Sequence, residues 1–225
     1  MKNTFRRYFK HQLSLSTSEQ EQSSSNSIAQ QILNSEFYTK CTHVCCYIPM
    51  QGRNEVDTMD IIHNALKRGK QLFIPIVIND IMTMVSLKDE LDFSTFKIHT
   101  KYKLLEPPIE SLPNRENLLD SLNGDSKLLV IVPGLAFDYS NRRLGRGKGH
   151  YDTFFEKLDD LQGRIQFETN HVGVCFSCQF IDENFKLPDE YKQQLIEKQL
   201  IESEETQFVI PTEKHDKTMD SVVHF

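Results

Sequence analysis

The sequence predicts an α/β fold, a single domain with an open, mostly parallel or mixed sheet flanked by helices, on three observations. Strand-length apolar runs alternate with segments of helical spacing, the order expected of βα units. One run, Lys127-Leu-Leu-Val-Ile-Val132, is apolar without alternation, as in a strand covered on both faces at the middle of a parallel sheet. The 225 residues, 38% of them hydrophobic, suffice for one core, and no internal repeat divides them. Residues 1–225 therefore read as one domain, with an N-terminal helical segment at 1–36 and a charged insertion at 182–205.

In order along the chain, helical spacing covers Lys2 to His11 and Ile28 to Phe37, and the Ser-rich stretch Ser14 to Ser27 between them reads as a mobile, solvated loop. Thr42 to Pro49 is a buried strand. Glu55 to Gly69 is a helix with Met59, Ile62 and Leu66 on one face and a glycine at its end. Strands follow at Gln71 to Ile78 and Met82 to Leu87. Lys88 to Asn114, with three prolines and little periodicity, reads as a long functional excursion. The strand Lys127 to Val132 is expected to feed directly into a Gly-rich loop, after which Tyr151, Phe154, Phe155 and Leu158 mark a helix from near Gly149 to about Leu161. Later strands are expected at Val172 to Phe180 and Gln207 to Ile210, on either side of a charged, solvated helix or lid-like insertion.

The formal net charge of -6 argues against a surface built to embrace nucleic acid or an anionic membrane, so any anion site must be local. No stretch approaches the ~20 apolar residues of a membrane span, and Met-Lys-Asn-Thr-Phe-Arg-Arg is no secretory leader. Five cysteines, two of them adjacent in an apolar run, read as reduced thiols of a cytoplasmic protein. Cys175 and Cys178 form a C-x-x-C within a strand-like run, where residues three apart face opposite ways, which is poor geometry for a metal or redox pair.

The chemistry concentrates in Arg142-Arg-Leu-Gly-Arg-Gly-Lys-Gly-His-Tyr-Asp152, where four cations and three glycines crowd into an otherwise acidic chain. Gly145, Gly147 and Gly149 free the backbone to bring N–H groups close to an anion, and the following helix aims its positive end at the same place. Arg143, Arg146 and Lys148 add full charges, so the loop suits a polyphosphate; a Gly-rich charged surface turn is the alternative. Two familiar motifs are excluded by spacing. Arg142 stands where a Walker A loop needs its first glycine and Gly149 where it needs Ser or Thr, and G-x-G-x-G is not the dinucleotide G-x-G-x-x-G.

Val132-Pro-Gly-Leu-Ala-Phe-Asp138 followed by Arg143-Leu-Gly-Arg-Gly-Lys-Gly-His-Tyr-Asp152 closely resembles the signature of the 5-formyltetrahydrofolate cyclo-ligase (methenyltetrahydrofolate synthetase) family. Lys2-x-x-Phe-Arg6, Tyr47 to Thr58 with its Glu-Val-x-Thr, Gly69-Lys70 to Pro75, Leu105-Glu-Pro107 and Pro211-x-Glu-x-His-Asp216-x-x-Met-Asp220 resemble further landmarks in order, over nearly the whole chain. The resemblance implies a fold like that of sugar-phosphate isomerases and CoA transferases. It also implies a ligase of one-carbon metabolism that uses ATP and Mg2+ to cyclise 5-formyltetrahydrofolate to 5,10-methenyltetrahydrofolate. In that reaction the formyl oxygen takes the γ-phosphate, N10 closes on the activated carbon, and ADP and phosphate are released. It implies a reduced folate as partner, with no nucleic acid or membrane, and the chain is expected to act as a monomer.

Carried over residue by residue, the resemblance places Lys2 and Arg6 on ATP, with Arg143, Leu144, Gly145, Arg146, Gly147, Lys148, Gly149, His150 and Tyr151 around its phosphates. Arg146 and Lys148 would be catalytic, stabilising charge in the transition state. Glu55 would meet the pterin edge and Ile48 pack on the folate, with Arg146, Gly147, Lys148, Gly149 and His150 completing the substrate side. Asp152 and Asp220 would hold the metal, Asp152 being also suited to serve the helix dipole. His150 departs from the family's usual Tyr, Gln51 to Asn54 is slightly longer than the family's turn, and Asp182 to Glu205 is longer than its usual counterpart. Two other classes compete: a non-catalytic relative binding nucleic acid through the loop, opposed by the net charge, and an isomerase or transferase on the same fold, for which no catalytic carboxylate is identifiable.

Overall fold

The computed structural model describes residues 1–50, 52, 54–98, 104–201, 207–213 and 216–225. Three helices open the chain: α1 (Lys2–Ser14), α2 (Ser18–Leu33) and α3 (Glu36–Lys40). The Ser-rich stretch is thus mostly helix, not loop. Thr17 caps it, its hydroxyl accepting from the Gln20 N–H while the Gln20 side chain accepts from the Thr17 N–H. Ile28, Ala29 and Ile32 are buried, and buried Ser25 accepts from the Asp57 N–H at 2.9 Å, so packing overrides the modest helix propensity of serine.

β1 (His43–Cys45) is shorter than expected: the Cys46 N–H still donates to the Phe73 carbonyl at 3.0 Å, but beyond it Tyr47 and Ile48 stay buried without pairing in a strand. α4 (Met59–Lys67) starts after Thr58, whose hydroxyl donates to the Tyr47 carbonyl at 2.6 Å, so Glu55 precedes the helix. Gly69, at φ 66°, ends that segment as read. β2 (Gln71–Ile78) and β3 (Ile81–Leu87) form a hairpin through Asn79 and Asp80, both at positive φ. The excursion holds α5 (Glu90–Phe93), β4 (Lys97–Ile98), β5 (Leu105–Glu106) and a 3-10 turn, Ile109–Asn114, before α6 (Leu118–Ser121). Arg115 clamps it with two hydrogen bonds to Asp92 (2.6 and 2.8 Å) and one to the Ser86 carbonyl (2.8 Å).

β6 (Lys127–Pro133) is followed by β7 (Ala136–Asp138) and β8 (Arg143–Leu144), then α7 (His150–Gln162), β9 (Glu168–Cys175), β10 (Phe180–Ile181), α8 (Asp189–Glu197) and β11 (Ser221–His224). The six-stranded sheet runs β11-β9-β6-β1-β2-β3, parallel except for the edge strand β3. β6 lies inside the sheet, and its side chains alternate between two cores. Leu129 and Ile131 join Phe5, Phe9, Ile28 and Ile61 on one side, while Leu128, Val130 and Val132 join Phe154, Phe155 and Leu158 of α7 on the other. The fold is the expected mixed α/β domain.

Four further expectations are corrected. β6 does not feed the Gly-rich loop directly, since β7 and β8 intervene in a small β10-β7-β8 sheet, packed so closely that a Cβ on Gly173 of β9 would lie 2.4 Å from the Phe137 ring. Val172 to Phe180 is not one strand: β9 stops at Cys175, and Cys178 lies exposed on the 3-10 turn beyond while Cys175 is buried. Gln207 to Ile210 is no strand either. Phe208 and Ile210 are buried, but the Ile210 N–H goes to the Asp138 carboxylate (2.9 Å) instead of a ladder, and the last strand is β11. Within the charged insertion, α8 is less solvated than expected. Tyr191 and Leu195 are buried, and Tyr191 meets the Tyr8 ring of α1 edge-on at 5.2 Å. Residues 99–103 of the excursion, 202–205 of that insertion, Gln51 and Arg53 of the turn before Glu55, and His215 of the tail lie outside the described residues.

Candidate active site

The Gly-rich loop begins at a turn that Asp138 organises, its carboxylate accepting from the Ser140 and Arg142 N–H groups, both at 3.0 Å. Gly147 (φ 100°) and Gly149 (φ 71°) then take conformations that resist a Cβ. Gly149 is the N-cap of α7 and provides no side-chain acceptor, leaving the first-turn N–H groups of a 13-residue helix turned toward the loop.

Cations converge here from two directions. Arg6 of α1 donates from Nε to the Gly145 carbonyl at 2.9 Å and lies so near Gly147 that a Cβ there would sit 3.3 Å from its Cζ. Arg143 is nearly buried, pairs with Asp152 and stacks over the Tyr151 ring at 5.5 Å, while its Nε has no hydrogen-bond partner among the described residues. A buried donor without an acceptor beside a bare helix N-terminus fits an anionic ligand. Arg146, Gly147, Lys148 and Gly149 form the exposed crest, and His150 is the partly buried first residue of α7. Burial raises the Tyr151 phenol well above its usual range, partly offset by Arg143, so the ring acts as a neutral platform.

Glu55, placed by the segment after β1, accepts from the Arg146 guanidinium at 2.7 Å and from the Met50 N–H at 3.3 Å. The residue expected at the pterin edge therefore touches a residue expected to be catalytic. Ile48 is buried in the core below, only 8% exposed, and presents little surface. Lys2, one helical turn before Arg6, donates to Glu213 and Asp216, both at 2.8 Å. Burial opposes the Lys2 ammonium, but these hydrogen bonds and charges raise its pKa overall. Lys2 and Arg6 line a cleft of about 540 Å³ with Lys198 and Pro211, Thr212 and Glu213.

The structure thus brings Lys2, Arg6, Glu55 and the residues from Arg143 to Asp152 into one region. Asp220 lies at the start of the loop, its carbonyl accepting from the Asn141 side chain at 3.4 Å; its carboxylate accepts from the His171 N–H at 2.7 Å and lies 3.2 Å from the His171 imidazole, itself pushed below its usual pKa by burial despite that carboxylate. The acidic side chains that the tail does bring to Lys2 are Glu213 and Asp216, which carried no site role in the sequence reading. Asp216 stood in the tail landmark, but only the fold shows which tail carboxylate meets α1.

A model described as the 5-formyltetrahydrofolate cyclo-ligase family matches residues 1–202. The probable 5-formyltetrahydrofolate cyclo-ligase of Schizosaccharomyces pombe is 33% identical over 178 residues, 78% of this chain and 82% of that protein. The 5-formyltetrahydrofolate cyclo-ligase of Mus musculus is 30% identical over 158 residues, 69% of this chain and 74% of that protein. The NMR structure of Aquifex aeolicus 5,10-methenyltetrahydrofolate synthetase superposes with a TM-score of 0.64 at 22% identity, covering 99% of this chain and 89% of that one. A 5,10-methenyltetrahydrofolate synthetase from Mycoplasma pneumoniae gives 0.61 at 15% identity, covering 98% and 96%. At those identities the two structures speak for the fold.

Proposed function

The chain belongs to the 5-formyltetrahydrofolate cyclo-ligase family, and from that premise we propose that it uses ATP to cyclise 5-formyltetrahydrofolate to 5,10-methenyltetrahydrofolate through a phosphorylated formyl intermediate. The formyl oxygen bonds to the γ-phosphorus as the bond to ADP breaks; N10 then attacks the activated carbon, and the oxygen leaves with phosphate. The observation that carries this reading is the 2.7 Å contact between Glu55 and Arg146, which puts the expected pterin partner against the expected phosphate loop. Two substrates seated on these residues would meet at Arg146.

In this reading the protein's work is alignment and charge neutralisation, with no nucleophilic side chain required. Lys2 and Arg6 hold the nucleotide from α1. The α7 N-terminus and the residues from Arg143 to Tyr151 cradle its phosphates, Arg143 being fixed by Asp152 and Tyr151. Arg146 and Lys148, on the exposed crest, stabilise the charge that builds on the transferred phosphoryl group. Glu55 orients the pterin, with Ile48 beneath it.

Magnesium would neutralise phosphate oxygens and hold them in line. Among the described residues no three His, Cys, Asp or Glu side chains form a cage. That suits an ion that keeps its waters and phosphate oxygens and takes one or two carboxylates. Asp152 beside the loop would be one. Asp220, which gives one carboxylate oxygen to His171 and keeps its side chain 54% exposed, would be the other. No helix among the described residues is long and apolar enough to cross a membrane. The same reading makes the protein one that acts on a small molecule without nucleic acid, which its net charge of -6 supports, in the cytoplasm, which its five free thiols suit, and as a monomer.

The reading is tested by incubating the purified protein with 5-formyltetrahydrofolate, ATP and magnesium and following methenyl-folate absorbance. Product that requires ATP is expected. A folded protein that forms none would contradict it.

A further inference from the structure

Asp138 is fully buried, and no cation pairs with it among the described residues. Its carboxylate is instead shared between two segments far apart in sequence. Oδ1 accepts from the N–H groups of Ser140 and Arg142, shaping the turn from which Arg143 and the Gly-rich loop depart. Oδ2 accepts from the N–H of Ile210 at 2.9 Å, 72 residues away. Ile210 immediately precedes Pro211, Thr212 and Glu213, which line the cleft beside Lys2 and Arg6, and Glu213 itself pairs with Lys2. One side chain therefore sets the distance between the two walls that approach α1.

We infer that Asp138 is a positioning residue that locks the phosphate loop and the C-terminal segment into one rigid nucleotide-binding frame; the inference rests on the cyclo-ligase reading. An aspartate is needed on chemical grounds. Three main-chain donors approach two oxygens from two sides, so both oxygens must accept. Asparagine, of the same size, has one accepting oxygen, and its NH2 would face an N–H at one arm or the other. The turn or the tail would be released, and Lys2, Arg6 and Arg143 would no longer share a fixed spacing, although none of them is altered.

The kinetic test compares wild type with Asp138→Asn and Asp138→Ala, checked for folding by circular dichroism. Asp138→Asn is expected to lower kcat/KM for ATP by roughly tenfold or more while KM for 5-formyltetrahydrofolate moves less than about twofold, a split that general unfolding would not give. Equal losses for both substrates, or unchanged kinetics, would overturn the role. If neither variant folds, amide hydrogen exchange on the wild type decides. The Arg142 and Ile210 amides should open with one common protection factor and be slowed together by ATP with magnesium, and independent opening would overturn the proposal. Wild-type turnover separates the two ideas: an active wild type with an indifferent Asp138 sinks the frame and leaves the ligase reading standing.

Discussion

The Arg6 guanidinium donates to the Gly145 carbonyl across 139 residues of sequence and lies over Gly147, so the first helix closes the Gly-rich loop. That closeness depends on a residue without a Cβ at 147, where φ is 100°. Gly147→Ala should cost about 1 kcal/mol of stability from the left-handed backbone alone. It should raise KM for ATP more than KM for the folate, because the added methyl displaces Arg6. Steady-state kinetics with each substrate varied checks this, and an unaltered KM for ATP would show that Arg6 does not serve the nucleotide.

Lys148 and Glu55 separate chemistry from binding. Lys148→Ala should reduce kcat by about 10²-fold, the range for losing a group that stabilises developing charge, with little change in melting temperature. Glu55→Gln should act mainly on KM for the folate. Because the Arg146 side chain is about a third exposed, breaking its pair with Glu55 should change stability by less than about 1 kcal/mol. Single-turnover and denaturation measurements on both variants test the division, and full-rate turnover by Lys148→Ala would remove Lys148 from the mechanism.

Arg115 holds a structural place. Its side chain is 4% exposed, bonds both Asp92 oxygens and the Ser86 carbonyl, and stacks over Phe96 at 5.2 Å. Removing one member of a buried pair leaves the other uncompensated, so Arg115→Ala should destabilise by about 3 kcal/mol. Urea denaturation measures it, and a loss below about 1 kcal/mol would mean that the excursion is held on by its apolar contacts.

His43 and His171 make stability fall on the acid side. Burial is the larger influence on each and lowers both below the ordinary 6.5, against smaller opposing contributions from Glu116 and Asp220. The unfolded chain therefore takes up protons first as pH drops. The stability these residues contribute is complete above pH 6.5 and is lost as pH falls toward their folded-state values, at up to about 1.4 kcal/mol per pH unit for each proton. Denaturation from pH 7.5 to 5.5, above the carboxylate range, should show the decline, and a flat profile would contradict it.

Where a single stretch of sequence decides the structure, it was legible. The unbroken apolar run at Lys127 to Val132, the helix face of Phe154, Phe155 and Leu158, and the glycines of the loop each carry their meaning locally. Local sequence misleads where a distant partner decides. Ser18 to Leu33 is polar enough to read as loop until a capping residue and the Ser25–Asp57 bond are known. Gln207 to Ile210 has strand-like residues, yet its backbone is taken by Asp138. In the site, charge and glycine marked the loop, but the pairing of Lys2 with Asp216, and of Asp220 with His171, depends on how the tail returns past α1 and β9, which spacing does not encode.

The proposed reaction delivers the formyl oxygen of the folate to the γ-phosphate of ATP. It is tested most directly by turning over 5-formyltetrahydrofolate labelled with 18O in its formyl group and weighing the phosphate released. One labelled oxygen per phosphate is the predicted result. Methenyl product accompanied by unlabelled phosphate would contradict this transfer.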